Sequence, residues 1–539
     1  MKLIKFPEQY PDNLFSKSCL WSLFLLLGIH LPAQPSGVKK SVSQQSSFPT
    51  AQHTARIKID VEREIGEIDP MLYGNFIEHL GRCIYGGVYE PGSLLSDEKG
   101  FRKDVMKATR QLNTSIVRWP GGNFVSGYHW EDGIGPVDKR PTRIDLAWGN
   151  YESNKFGTDE FVEWCRTVQT EPYFCVNLGT GSLDEARNWV EYCNVEKGTY
   201  YSDLRIKNGY PKPHKVIYWG LGNEMDGSWQ MGHKNAEDYG KYALETAKLM
   251  KWIDKDIKLV VAGSSYYSGD WIGWNRTVLN YCRDHIDYIA LHHYSSKPKT
   301  DNSYYDFMAA PAVAERAIKI TEGVIRETLT KTSRKTPIYI AFDEWNVWYR
   351  AKGEEGNEEV YNMEDVLVVG SYLNTFIRNA HIVKMANMAQ LVNVIAPIFT
   401  SKEGLWYQTI FYPLELVANN CRGVALDTYL ECEKFISRQG DLPYLDVAAS
   451  YDKTKNEMVI SVVNRNKDAA IRTDILCQTG TFDGTAIISE VNHKDLMAEN
   501  SAKSQAVKTV TREQKIKGEK FTCEFPAHSY TMIRIPIKL

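Results

Sequence analysis

The chain has 539 residues, with 64 Lys and Arg against 67 Asp and Glu, and 43% of its residues are hydrophobic. A single core stops growing near roughly 250–300 residues, so this length calls for one large domain and at least one smaller one. A net charge of −3 without a long block of like charge excludes a nucleic-acid arm, and 38 Gly and 21 Pro exclude collagen-like and low-complexity chains.

Cys19 to Leu31 reads CLWSLFLLLGIHL, an apolar run too short for a comfortable membrane span, with Lys2, Lys5 and Lys17 before it and Pro32-Ala33-Gln34 after it. It predicts a secretory signal peptide over residues 1–33 and hence an exported protein, periplasmic or extracellular. Glu8 and Asp12 in the long leading region leave a signal-anchor open. Residues 34–54 are rich in Ser and Gln and read as a disordered lead-in. The cysteines that follow, from Cys83 to Cys523, are odd in number and include no C-x-x-C, so they signal neither a disulfide framework nor a structural zinc.

The segment Ala55-Arg56-Ile57-Lys58-Ile59-Asp60-Val61 alternates apolar and polar residues, as a half-buried strand does, and residues 55–70 are expected to join a later β-sandwich. From residue 71 to 432 one rhythm recurs: a short apolar or β-branched run, polar or glycine residues, then a helix-period stretch. The runs are Tyr73–Ile77, Thr114–Arg118, Tyr173–Asn177, Val216–Gly220, Leu259–Gly263, Tyr288–His292, Ile338–Phe342 and Val392–Ala396. Eight strands alternating with helices predict an α/β fold, a (β/α)8 TIM barrel whose functional residues lie at the C-terminal ends of the strands. One predicted helix starts at Thr158 as N-cap, with Asp159 and Glu160 in its first turn but without a full capping box. Residues 433–539 change to strands separated by turn residues, a C-terminal β-sandwich domain.

Two strand ends carry the main chemical signal. Tyr218-Trp219-Gly220-Leu221-Gly222-Asn223-Glu224 and Ile340-Ala341-Phe342-Asp343-Glu344-Trp345-Asn346 each place a Glu at the end of an apolar strand, far apart in sequence. A carboxyl pair facing each other across a barrel mouth is the equipment of glycoside hydrolysis, one acid protonating the leaving oxygen while the other attacks or activates water. A single such Glu is more often a loop cap or ion-pair partner; the strongly apolar, aromatic settings weaken that reading, because an unpaired carboxylate there is costly. The turn Arg118-Trp119-Pro120-Gly121-Gly122-Asn123 joins a cation, an indole face and a carboxamide, which suits a polyhydroxylated ring better than a phosphate. His292 and His293 are adjacent on a strand and point to opposite faces, so at most one reaches the mouth, and no metal is assigned. No cofactor is called for.

These segments resemble the α-L-arabinofuranosidases of glycoside hydrolase family 51. The resemblance rests on Glu78-His79-Leu80-Gly81-Arg82, on the Arg118–Phe124 turn, on Gly220–Gly227, on Asp343–Tyr349 and on Asn393–Ile398 followed by Tyr407–Pro413. It implies a retaining, exo-acting α-L-arabinofuranosidase with Glu224 as acid/base and Glu344 as nucleophile. By the same matching Glu78, Arg118, Asn123, Asn223, His292, Tyr294 and Gln408 contact the furanose or the catalytic carboxylates, and Trp348 shapes the pocket. Tyr294 and Arg118 are expected to supply the hydrogen bonds that keep Glu344 charged. The implied partners are plant cell-wall arabino-oligosaccharides or polysaccharides such as arabinan and arabinoxylan, with no nucleic acid, and the chain is expected to form a homo-oligomer, a trimer or hexamer. An endo-glucanase or β-xylosidase on the same scaffold is the alternative, and a non-catalytic glycan-binding protein would be expected to lack one of the two carboxylates. Gly353 and the stretch from Glu355 to Glu364 form an acidic, mobile segment expected to affect the leaving-group side.

Overall fold

The computed structural model describes residues 53–351 and 357–539. Within them eight parallel strands close into a barrel: β1 (Gly74–Phe76), β2 (Ile116–Trp119), β3 (Glu171–Val176), β4 (Tyr218–Leu221), β5 (Lys258–Val261), β6 (Tyr288–Ser295), β7 (Tyr339–Val347) and β8 (Val383–Ala389). Closure comes from β8, which pairs with β7 on one side and β1 on the other. The runs are short and continuously apolar because helices cover the outer face of a parallel barrel while side chains fill its inside. Ile116, Tyr173, Cys175, Val260, Ala290, Ala341 and Met385 pack together as the barrel interior, a filled core and not a channel.

The first seven predicted runs coincide with barrel strands; the eighth does not. Its strand is Val383–Ala389, VKMANMA, whose Lys, Asn, Ala and Met carry little β-propensity, whereas Val392–Ala396 is the turn that follows. Asn393 and Ile395 there have φ of 59° and 39°, which no strand residue adopts. The helix Thr158–Val168 also begins one residue earlier than read. Gly157 is its N-cap, and the Glu160 carboxylate accepts the Gly157 N–H at 2.9 Å. A Cβ on Gly157 would lie 1.8 Å from the Gly133 carbonyl oxygen, so only glycine fits at that cap.

Eight of the strands from Val424 onward form a nine-stranded sheet with Thr54–Glu67, which lies between Val424–Glu431 (antiparallel) and Ile471–Cys477 (parallel). Ala55, Ile57, Ile59 and Val61 are buried in the core of this domain. Val424–Glu431 lies within the stretch read as barrel, but it follows the helix Phe411–Asn420 and, among the described residues, pairs in the nine-stranded sheet, so the strand-rich domain starts earlier than residue 433. A half-buried ion cluster joins the two cores, with Arg378 on the helix Met363–Arg378 bonding Asp446 at 2.8 Å and Glu315 at 3.1 Å.

Candidate active site

Side chains alternate along a strand, so the inward positions just above the barrel core present their groups to the C-terminal mouth. Arg118 shares a face of β2 with Ile116 and is fully buried. Its Nη1 donates to Glu344 Oε2 at 2.8 Å, Nη2 donates to Asn223 Oδ1, and Nε donates to Cys175 Sγ at 3.1 Å, while the guanidinium stacks 4.7 Å from the Phe76 ring. On β6, His292 continues the inward face of Tyr288 and Ala290, and Tyr294 follows it to donate its hydroxyl to Glu344 Oε1 at 2.8 Å. His293 turns the other way, is buried and bonds Tyr372.

Strict alternation would let only one of Asp343 and Glu344 face inward. The pairing of β7 with β6 slips between Ala341 and Glu344, and this bulge lets both carboxyls reach the centre. Asp343 accepts from the Tyr173 hydroxyl at 2.8 Å and from His292 Nε2 at 3.1 Å. Glu224, just past β4, adopts a left-handed φ of 43°. Its Oε1 lies 3.0 Å from His292 Nδ1, and its Oε2 accepts from the Trp229 indole at 2.6 Å.

Charge in this cluster is nearly balanced within it. Burial lowers the affinity of His292 for a proton, but the Glu344 carboxylate and the bonds to Asp343 and Glu224 overcome that and push its pKa up to about 10. His292 is therefore an imidazolium that donates from both nitrogens. Asp343 is buried, which alone would raise its pKa, yet Arg118, His292 and Tyr173 hold it below the usual carboxylate range. Burial pushes Glu344 up, with the Glu224 carboxylate adding to the rise and His292 and Arg118 opposing it. Both expected donors to Glu344 are thus in place, but desolvation outweighs them. Glu224, His292 and Glu344 bring one ligand-type atom each within 4.8 Å of one another. A cation could use such a set, but the imidazolium already supplies positive charge at that point.

A second group closes the pocket wall. Glu78, just past β1, accepts at Oε1 from the backbone N–H of Gly122 and Phe124, both at 3.0 Å, and from Trp148 at 3.2 Å. Burial pushes its pKa up to about 8 against those donors. A Cβ on Gly121 would lie 2.5 Å from Glu78 Cγ, which explains the glycine in that turn. Asn123 opens the short 3-10 turn Asn123–Gly127, and Trp348 packs edge-on against Tyr294 with ring centroids 5.4 Å apart.

The sequence profile of the alpha-L-arabinofuranosidase 1 domain matches residues 108–311, and that of the alpha-L-arabinofuranosidase C-terminal domain matches residues 343–529. The intracellular exo-alpha-(1->5)-L-arabinofuranosidase of Halalkalibacterium halodurans is 41% identical over 498 residues, covering 89% of this chain and 99% of the relative. The enzyme of the same name, numbered 1, from Bacillus subtilis is 42% identical, with coverages of 89% and 99%. A family 51 α-L-arabinofuranosidase from Bifidobacterium longum superposes with a TM-score of 0.84 at 32% identity, covering 89% of this chain and 99% of that one. The chain belongs to the α-L-arabinofuranosidases of glycoside hydrolase family 51.

In this arabinofuranosidase Arg118, Asn223, Glu224, His292, Tyr294 and Glu344 form one connected network, with Glu78 bonded to the Gly122 turn beside it, but Gln408 does not belong to it. Gln408 is fully buried, its Nε2 donating to the carbonyls of Glu359 at 2.7 Å and Ala396 at 3.0 Å and its Oε1 accepting from Tyr361 N at 3.1 Å. The amide that does reach the wall is Gln390, directly after β8, whose Nε2 donates to Glu78 Oε2 at 3.1 Å and whose buried Oε1 has no partner among the described residues. Placing the eighth strand correctly would have found it, because its C-terminal end is where a barrel carries function. Asp343 was passed over as well; its signal was the carboxyl adjacent to Glu344.

The expectation of an exported protein is corrected. Both relatives above, matched over nearly their whole length, are intracellular enzymes by name. The apolar run Cys19 to Leu31 lies outside the described residues. Of the acidic stretch after β7, residues 352–356 also lie outside them, but Glu359 is fully buried and accepts from Tyr349 N and Arg350 N, both at 3.0 Å, so that part is packed and not mobile.

Proposed function

We propose that this arabinofuranosidase removes terminal α-L-arabinofuranosyl residues from arabinan- or arabinoxylan-type chains with retention of configuration, Glu344 acting as nucleophile and Glu224 as acid/base. The observation that carries this reading is the approach of the two carboxyls, one oxygen of each lying within 4.8 Å of the other and of a His292 nitrogen. Retaining enzymes hold the pair about 5–5.5 Å apart, whereas inverting enzymes leave roughly 6.5–9.5 Å for a water molecule. Glu344 attacks the anomeric carbon while protonated Glu224 gives its proton to the departing oxygen. Glu224, now ionised, takes a proton from the water that cleaves the glycosyl–Glu344 ester.

Arg118 and the Tyr294 hydroxyl aim Glu344 through one oxygen each. The His292 imidazolium, anchored on Asp343, lies between the two reacting carboxyls and lowers the repulsion between them when both are ionised. Glu78, Asn123, Asn223 and Gln390 offer the carboxyl and carboxamide groups that the furanose hydroxyls need.

The test is incubation of the purified chain with branched arabinan and with arabinoxylan, alongside a panel of nitrophenyl glycosides. Arabinose as the released sugar and cleavage of the α-L-arabinofuranoside support the reading. Release of glucan or xylan oligosaccharides, or preference for the β-D-xyloside, would refute it.

A further inference from the structure

We propose that Trp229 is a positioning residue for the acid/base, its indole N–H holding Glu224 in the orientation from which it serves the leaving oxygen. The proposal rests on the assignment of Glu224 made above.

The turn from Asn223 to Gln230 is built to bring the indole back over the carboxyl. Glu224 begins it with a left-handed φ of 43°, Gly227 N bonds Glu224 O at 2.8 Å, and Gln230 N bonds Gly227 O at 3.0 Å. The ring of Trp229 covers Gly227 so closely that a Cβ there would lie 2.4 Å from Cε2 of the indole. The far end of the turn is tied down by Gln230, which accepts from Asn223 Nδ2 at 3.3 Å and donates to Ser126. Trp229 also packs against the partly exposed Tyr266, with ring centroids 5.6 Å apart. The indole therefore has little freedom, and its N–H meets Glu224 Oε2 at 2.6 Å.

The other groups facing Glu224 act on its charge or on Oε1. His292 meets Oε1 from β6, Glu344 faces it from β7 with Arg118 and Tyr294 bound to it, Asp343 stands behind His292, and Asp226 on the same turn is held by Ser265. Oε2 is the atom that Trp229 holds. An N–H aimed at a carboxylate favours the ionised form, so the indole also eases the switch of Glu224 from acid to base between the two half-reactions.

The experiment compares Trp229→Phe, Trp229→Leu and Glu224→Ala with the parent chain, each shown folded by circular dichroism. The pH profile of kcat/KM is recorded with an aryl α-L-arabinofuranoside bearing a poor leaving group and with one bearing a good phenolate. Both Trp229 variants are expected to move the basic limb upward, by about one pH unit. They should lose roughly tenfold on the poor leaving group and much less on the good one, which departs without proton donation. A basic limb that stays in place, with equal losses on both substrates, overturns the proposal and leaves Trp229 a packing residue. Loss of the basic limb in Glu224→Ala with the good leaving group keeps the underlying assignment. Its persistence there removes that assignment, and the proposal falls with it.

Discussion

Gln390 Nε2 donates to Glu78 Oε2 at 3.1 Å, joining the end of the eighth barrel strand to the end of the first across the line where the barrel closes. The bond gives Gln390 a place in the pocket wall that Gln408, bonded to three backbone groups elsewhere, does not have. Gln390→Ala is expected to raise KM for an aryl α-L-arabinofuranoside about tenfold with little change in thermal midpoint. Gln408→Ala should do the reverse, costing on the order of 2–3 kcal/mol of stability because buried backbone groups are left unpaired. Steady-state kinetics and thermal unfolding of the two variants separate the roles; a raised KM in Gln408→Ala at unchanged stability would contradict them.

Asp343 fixes the charge of His292 from the side opposite the reacting carboxyls. Asp343→Asn should leave the fold intact, lower the pKa of His292 and cut kcat by about a hundredfold, because the imidazolium between Glu224 and Glu344 is then no longer held. The His292 ring proton signals, followed by NMR across pH, report the first effect and single-turnover kinetics the second. A kcat within twofold of the parent would rule this role out.

Tyr294→Phe removes one hydrogen bond to Glu344 and leaves the ring against Trp348. Loss of a donor to the carboxylate raises its pKa, so the acidic limb of kcat/KM should move upward, and the rate should fall by roughly 10- to 100-fold. The pH–rate profile decides: an acidic limb in its original place means that the hydroxyl does not act on the nucleophile.

His293 is fully buried and neutral, its pKa pushed down to about 4 by burial, with Arg316 adding to the effect. The unfolded chain takes up a proton near pH 6.5 that the folded chain refuses, so the associated stability is complete above that pH and is lost as pH falls toward 4. The shift corresponds to roughly 3 kcal/mol. His293→Gln should flatten the fall in thermal midpoint between pH 6.5 and 4; an unchanged slope would show that other groups set it.

The barrel was legible because most of its strands are apolar runs of a kind that only a covered parallel strand tolerates, and the two Glu residues stand at strand ends in apolar surroundings. The eighth strand was not, since Lys384, Met385, Asn387 and Met388 earn their places from barrel closure and from the Asn387 bond to Asn75 O, which local propensity does not express. The inward turn of both Asp343 and Glu344 depends on a register slip between two strands, a relationship that no single segment encodes. The Trp229 bond to Glu224 depends on a glycine turn whose path is set by contacts to Ser126 and Tyr266 from distant parts of the chain.

The assignment of Glu344 as nucleophile and Glu224 as acid/base is tested most directly by the configuration of the arabinosyl azide formed when Glu344→Ala and Glu224→Ala are supplied with azide and an activated aryl α-L-arabinofuranoside. In Glu344→Ala azide replaces the nucleophile and attacks the substrate once, giving the inverted β-azide. In Glu224→Ala it attacks the glycosyl–Glu344 ester, giving the retained α-azide. The same configuration from both variants, or undiminished hydrolysis by Glu344→Ala without azide, would contradict the account.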